Sequence, residues 1–231
     1  MEQFELETQR ERVGQETTAS RYTVGFLNGN TLVKHKGVVI LPYSVETLVE
    51  NHVMVYVERN LGARADFIDL DYADSGAILL DSPVEVCKKA DILVSLAPLL
   101  LEDCEHLRDE QIVISPFTME NVSWELFQAL QQKKITALSL NFIRNVQNDS
   151  LLEDVLSVPE GEMAASAALG DMILSVIFSL IFSSNMREAV QTNPALLQAI
   201  YCYQGVLTHE QIAQRLKLPF KDLLLWCWNW N

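Results

Sequence analysis

Between Glu160 and Val190 the chain runs EGEMAASAALGDMILSVIFSLIFSSNMREAV, with no proline. Its glycines are Gly161 in the first turn and Gly170 in the interior. This predicts one long helix over Glu160–Val190. The front half is rich in small residues, Ala164 to Ala168 around Ser166. The back half, Met172–Phe182, is apolar on every face apart from Ser175 and Ser179. A helix that is apolar all round is buried on all sides or spans a membrane. A span needs about 20 consecutive apolar residues to cross roughly 30 Å of hydrocarbon. Here the apolar run is shorter, and Asp171 and Glu162 lie within the stretch. A buried bridging helix is therefore the expectation, with no membrane partner. Small residues at its front allow close approach by another helix, in a core or at a subunit interface.

Before this helix, short apolar runs alternate with amphipathic segments. Strands are expected at Tyr22–Leu27, Gly37–Leu41, Val53–Glu58, Ala77–Leu80, Asp91–Leu96, Gln111–Pro116 and Ile135–Asn141. Their valine and isoleucine content and lack of polar alternation predict strands buried on both faces. Helices are expected at Ser44–Asn51 after Pro42, at Ser82–Lys89 behind a Ser-Pro start, at Leu100–Arg108 and at Met119–Lys133. Alternating strands and helices imply βαβ units and a parallel sheet. The expected fold is α/β, a flavodoxin-like parallel sheet flanked by helices, with the long helix and C-terminal helices packed on it. In the last region, Pro194 should open a helix through Tyr203 that Gly205 stops. Thr208 should cap the helix THEQIAQRLKL, with Gln211 at the capping-box position.

The net charge of -14 disfavours nucleic acid and anionic membrane surfaces as partners. Leu207–Trp226 superficially resembles a helix-turn-helix, but its second helix offers Lys221 and Asp222 followed by leucines and tryptophan. A recognition helix should be basic. Met1–Ser20 is charged throughout and does not read as a secretory signal. It reads as an N-terminal arm, either frayed or laid over a neighbouring subunit. Cys87, Cys104, Cys202 and Cys227 form no CxxC pair and do not cluster with the histidines. Reduced thiols, a cytoplasmic location and no metal site are the corresponding expectations. Asp69, Asp71 and Asp74 sit where a helix should start, where carboxylates favour the dipole. Trp226, Trp228 and Trp230 need cover, from the sheet or from another subunit.

The segment LPYSVETLVENHVMVYVERNLGARADFIDLDYADSGAILLDSPVEVCKKADILVSLAPLL, continued by DEQIVISPFTMENVSWELFQALQQKKITALSLNFI, resembles the N-terminal domain of the alanine dehydrogenase and nicotinamide nucleotide transhydrogenase family. The shared order is a proline after an apolar run, a helix ending in His, a VYVE strand, a D-x-D-Y helix, A-D-I-L and K-K-I-T-A-L. The segment TNPALLQAIYCYQGVLTHEQIAQRLKLPFKDL is similar to the family's C-terminal end. The resemblance implies a substrate domain built from both ends of the chain, with an NAD-binding Rossmann domain inserted between them. Such an insert carries G-x-G-x-x-G after a strand. Gly161 and Gly170 are too far apart for that loop, and no strand leads into them. Two ends joined across a bridging helix, with no cofactor domain and no bound cofactor, are therefore expected. The implied division is an arm at 1–20, a substrate-domain-like unit at 21–159 plus 191–231, and the bridging helix at 160–190.

The resemblance also locates the family's working residues. An arginine that holds the substrate carboxylate falls on Gly37, in KGVVILP. A bidentate carboxylate clamp needs the guanidinium fork, which Lys34 or Lys36 cannot replace. A substrate-binding lysine falls on or near Ser95, in LVSLAP. A histidine that serves as general acid/base falls near Thr118, and threonine does not titrate near neutral pH. His35, beside Lys34 and Lys36, belongs to a basic loop, solvated or a residual anion site. The expectation is a degenerate relative without catalytic residues. It would act as a homo-oligomer or beside a related full-length subunit, as an oxidoreductase subunit served by a nucleotide domain on another chain, or as a small-molecule sensor.

Overall fold

The computed structural model describes residues 22–29, 37–118, 120–143 and 163–223, with the single positions 152 and 225. The N-terminal arm, the basic loop Lys34–Lys36 with His35, and Trp226, Trp228 and Trp230 lie outside the described residues.

The strands are β1 (Thr23–Leu27), β2 (Met54–Glu58), β3 (Ile78–Leu80), β4 (Ile92–Ser95), β5 (Ile112–Ser115), β6 (Thr136–Ser139), β7 (Ile200–Tyr203) and β8 (Val206–Leu207). They form one sheet in the order β3-β2-β1-β4-β5-β6-β7-β8. The pairs from β3 through β6 are parallel, and β7 and β8 are antiparallel. Without the short edge strand β3, the five other parallel strands follow the flavodoxin-like order, so the expected α/β class holds. Helices α1 (Pro42–Glu50), α2 (Asp69–Asp74), α3 (Pro83–Lys89) and α4 (Trp124–Gln132) lie among the first six strands. After β6 come α5 (Met163–Phe182), α6 (Met186–Thr192), α7 (Ala195–Ala199) and, last, α8 (Glu210–Leu216).

Alternate residues of each strand enter two cores. Val24, Phe26, Val55, Val57, Ile92, Val94, Ile112 and Ile114 face one, which α1, α5, α6 and α7 cover. Leu93, Val113 and Ala137 face the other, under α3, α4 and α8. Both faces being apolar is what a parallel sheet requires. The local signals read from the sequence act as expected at several points. Ser82 accepts the Glu85 N–H at 3.3 Å to start α3. Asp71 accepts the Ile68 N–H at 2.8 Å, and Asp69 accepts the Asn60 N–H at 2.7 Å while pairing with Arg59.

Six expectations need correction. The long helix does not run through to Val190. It stops at Phe182 and restarts at Met186. Asn185 accepts the Glu188 N–H at 3.0 Å, and Glu188 accepts the Ser184 N–H at 2.7 Å, so an N-x-x-E cap opens a second helix. Residues 160–162 lie outside the described residues. Gly37–Leu41 is not a strand, because β2 and β4 already occupy both flanks of β1. The Pro194–Tyr203 helix ends at Ala199, and Ile200–Tyr203 pairs with the open edge of β6. Gln204 and Gly205, both at positive φ, then make the tight turn into β8. The α8 cap position is His209, because Thr208 turns its hydroxyl to the Ile200 carbonyl at 3.0 Å. Leu100–Arg108 forms only a short 3-10 turn at Glu102–His106, and α4 starts at Trp124, capped by Ser123 rather than at Met119.

The α5 helix leaves one exposed stripe, Ala164, Ala168, Asp171 and Ser175, with Phe182 at its end. Most of its other described side chains are buried or half-buried against α1 and the sheet. Its small front half receives residues 38–44. Ser166 accepts the Val38 N–H at 3.2 Å, and the Tyr43 hydroxyl reaches Asp171 at 3.3 Å. Among the described residues no helix is long and apolar enough to cross a membrane.

Candidate functional site

The chain crosses from β3 to β4 on the far side of β1. At such a crossover the loops leaving adjacent strands diverge, and a crevice opens at their carboxyl ends. A cavity of about 430 Å³ lies there. Gly25 brings α3 down onto the sheet. A Cβ at that position would meet Val86 Cγ1 at 2.6 Å and Ala90 Cβ at 2.7 Å. Leu27, Leu93, Val113, Val84 and Leu99 supply apolar wall.

The rim is built by serines that end successive strands. Ser95 Oγ accepts the Ala97 N–H at 3.0 Å. Ser115 Oγ accepts the Leu99 N–H at 3.1 Å and donates to the Ala97 carbonyl at 3.0 Å. Ser139 Oγ donates to the Phe117 carbonyl at 2.6 Å. Ser95 holds the loop that leaves its own strand, Ser115 the loop that leaves β4, and Ser139 the loop that leaves β5. Ser95 and Ser115 both line the cavity.

The ionisable lining is one-sided. Among the described residues it comprises Glu58, Glu102 and Asp103, with His106, and it contains no lysine or arginine. Glu58 ends β2 and is half-buried, and desolvation raises its carboxyl above the ordinary range. The Asn28 N–H donates to Glu58 Oε2 at 2.7 Å and partly offsets that rise. Asp103 Oδ2 accepts the Leu100 N–H at 2.8 Å. The Cys87 thiol, also in the wall, is pushed up to about 11 by burial and then by the charges of Asp103 and Glu58. Among the described lining residues, carboxylates outnumber basic side chains.

Of the three positions inferred by resemblance, the structure brings only Ser95 to this cavity. Gly37 opens the buried segment that leads into α1, toward the opposite face of the sheet. Thr118 is tied into a turn: its N–H donates to Asn121 Oδ1 at 2.8 Å and its Oγ1 accepts the Asn121 N–H at 3.3 Å. Sequence reasoning missed Glu58 and Ser115. Glu58 was visible only as the last letter of VYVE, and Ser115 only as a serine at a strand end.

Between Gly29 and Gly37 the chain has no glycine, so the segment after β1 carries no G-x-G-x-x-G pattern. In nucleotide-binding sheets of this strand order, an acid near the end of the second strand takes ribose hydroxyls. Here Glu58 instead closes over the loop after β1 through Asn28.

The family model described as alanine dehydrogenase/PNT, N-terminal domain, matches residues 34–158. An alanine dehydrogenase from Methanococcus maripaludis is 28% identical over 129 residues, covering 55% of this chain and 34% of that protein. The first part of the NAD(P) transhydrogenase alpha subunit from Rickettsia prowazekii is 25% identical over 114 residues, covering 46% of this chain and 29% of that protein. A solved L-alanine dehydrogenase structure aligns over 77% of this chain and 64% of its own, at 16% identity and a TM-score of 0.48. The chain spans about a third of the length of the curated relatives it matches.

Proposed function

Because this chain belongs to the alanine dehydrogenase/PNT N-terminal domain family, we propose that it is a substrate-domain homologue that does not transfer hydride by itself and works by assembly. The assembly is a homo-oligomer or a complex with a related full-length subunit. The observation that carries the reading is the state of the family's working positions. Gly37 offers no side chain, Ser95 is bonded to its own loop, and Thr118 is bonded into a turn with Asn121. None of these can clamp a carboxylate as an arginine fork does or relay a proton as a histidine does. The absence of a Rossmann insert and a cytoplasmic location are parts of the same proposal.

A second reading is favoured by the transhydrogenase relative, whose name marks it as a portion of an alpha subunit. In it, this chain supplies the substrate half to a nucleotide domain carried on another polypeptide. One experiment separates the two. NADH is titrated calorimetrically into the purified chain alone, and the chain is mixed with a full-length alanine dehydrogenase and, separately, with an isolated nucleotide-binding domain that has no alanine turnover of its own. Mass is measured by light scattering, and alanine-dependent NAD reduction is followed. Assembly, with no NADH binding by the chain alone and no alanine turnover gained with the isolated nucleotide-binding domain, supports the first reading. Alanine turnover that appears only when the chain is mixed with that domain supports the second. Turnover by the isolated chain overturns both.

A further inference from the structure

We propose that the cavity at the β1/β4 crossover binds a small primary amine that has an apolar body and no carboxylate, with its ammonium on Glu58. This deepens the reading above and rests on it, since it starts from the loss of the carboxylate clamp.

The volume, about 430 Å³, is within the range of sites for small organic ligands. Leu27, Leu93 and Val113 give it an apolar floor, which selects an apolar body. The three carboxylates in the wall, with no lysine or arginine among the described lining residues, select the sign of the head group. A 2-oxo acid or an amino-acid carboxylate would be set against charges of its own sign. Glu58 is the carboxylate placed to act. Its Oε2 accepts the Asn28 N–H, and no described residue engages its other oxygen. An ammonium is a three-fold donor that needs such acceptors. Ser95 Oγ accepts one bond from Ala97 and keeps a lone pair. Desolvation raises Glu58, and a cation beside it would reverse that rise. A divalent metal is the poorer occupant. Among the described residues no group of three or more His, Cys, Asp or Glu side chains is placed to hold one.

The test uses three probes that share one carbon skeleton: 3-methylbutylamine, L-leucine and 4-methyl-2-oxopentanoate. Each is titrated calorimetrically into the full chain and into the Glu58→Gln and Val113→Phe variants, whose folding is checked by circular dichroism. The expected result is binding of the amine at least about tenfold tighter than leucine, with no heat from the oxo acid. Glu58→Gln should weaken the amine about tenfold or more. Val113→Phe, which fills the floor, should abolish its binding. The proposal is overturned if none of the three binds, if leucine or the oxo acid binds as tightly as the amine, or if folded Glu58→Gln keeps the wild-type affinity. Those failures leave the non-catalytic reading intact. NAD-dependent oxidation of leucine or alanine by the isolated chain would instead defeat that reading, whatever the calorimetry shows.

Discussion

Two titratable residues carry strain that pH can expose, and they act in opposite senses. Desolvation holds the Glu58 carboxyl above its ordinary value of 4.5. The folded state therefore binds more protons than the unfolded state as pH rises past 4.5, and folding loses stability across that window. Glu58→Gln removes this dependence. Urea titrations should show the variant gaining on the wild type as pH rises from 4 to about 7, and parallel curves would show that Glu58 is not held up by burial. His209 behaves in reverse. Its ring stacks on Phe142 at 4.5 Å with an interplanar angle of 16°, and its Nδ1 is buried with no partner among the described residues. Desolvation lowers it from 6.5, so stability is lost as pH falls below that value. His209→Phe keeps the stack and removes the proton. Its melting temperature should exceed the wild type by more at pH 5.5 than at pH 8, with an equal difference at both counting against the assignment.

The segment between Gly37 and Leu41 shows how an element is decided by its surroundings. Val38, Val39 and Ile40 are strand-formers by composition and are fully enclosed. The segment nevertheless has no sheet partner among the described residues, and side chains from two helices bond two of its backbone groups. Ser166 of α5 takes the Val38 N–H, and the buried Tyr72 of α2 donates its hydroxyl to the Ile40 carbonyl at 2.9 Å. Ser166→Ala leaves a buried N–H without an acceptor and should cost about 1–3 kcal/mol, and Tyr72→Phe about 1 kcal/mol. Both grip one stretch, so the double variant should depart from additivity by about 0.5 kcal/mol or more in denaturant titration. Strict additivity would mean the two bonds act independently. The same logic explains what the sequence reveals. β1, β2, β4, β5 and β6 are readable because runs such as Val53–Val57 and Ile112–Ile114 are short and rich in β-branched residues, although β2 buries one face more fully than the other, with Met54 exposed. Ser82 is readable because a cap acts through three residues. By contrast, Ile200–Tyr203 becomes a strand only because β6 has a free edge, a fact set by residues more than sixty positions away. Glu58 becomes part of a site only when β2 lies beside β1 and brings Asn28 to it, thirty residues removed. Ser95 was reached only through the family resemblance, as the position on or near which a substrate-binding lysine falls.

At the scale of the molecule, the chain after α5 does more than decorate a finished domain. α5 lies in the core with Val24, Phe26, Ile92 and Ile114, and α6 and α7 continue that core through Ala189, Leu196 and Ala199. The chain then returns to the sheet, where Cys202 and Ile200 pair with Ala137 and Leu138. On the other face, Tyr201 packs on Phe117 at 4.6 Å between ring centres. The final strands thus close an edge and contribute to both cores. Units that share buried surface on both sides of one sheet unfold together rather than in stages. Guanidinium denaturation should therefore give one transition, with far-ultraviolet circular dichroism and tryptophan fluorescence coinciding. A chain ended at Ala199 lacks β7 and β8. It should lose that cooperative transition and associate through the exposed β6 edge, because an unpaired inner strand is a template for intermolecular pairing. Two separated transitions in the intact chain, or a truncated chain that stays monomeric and melts like the parent, would show that the α/β unit stands without its C-terminal return.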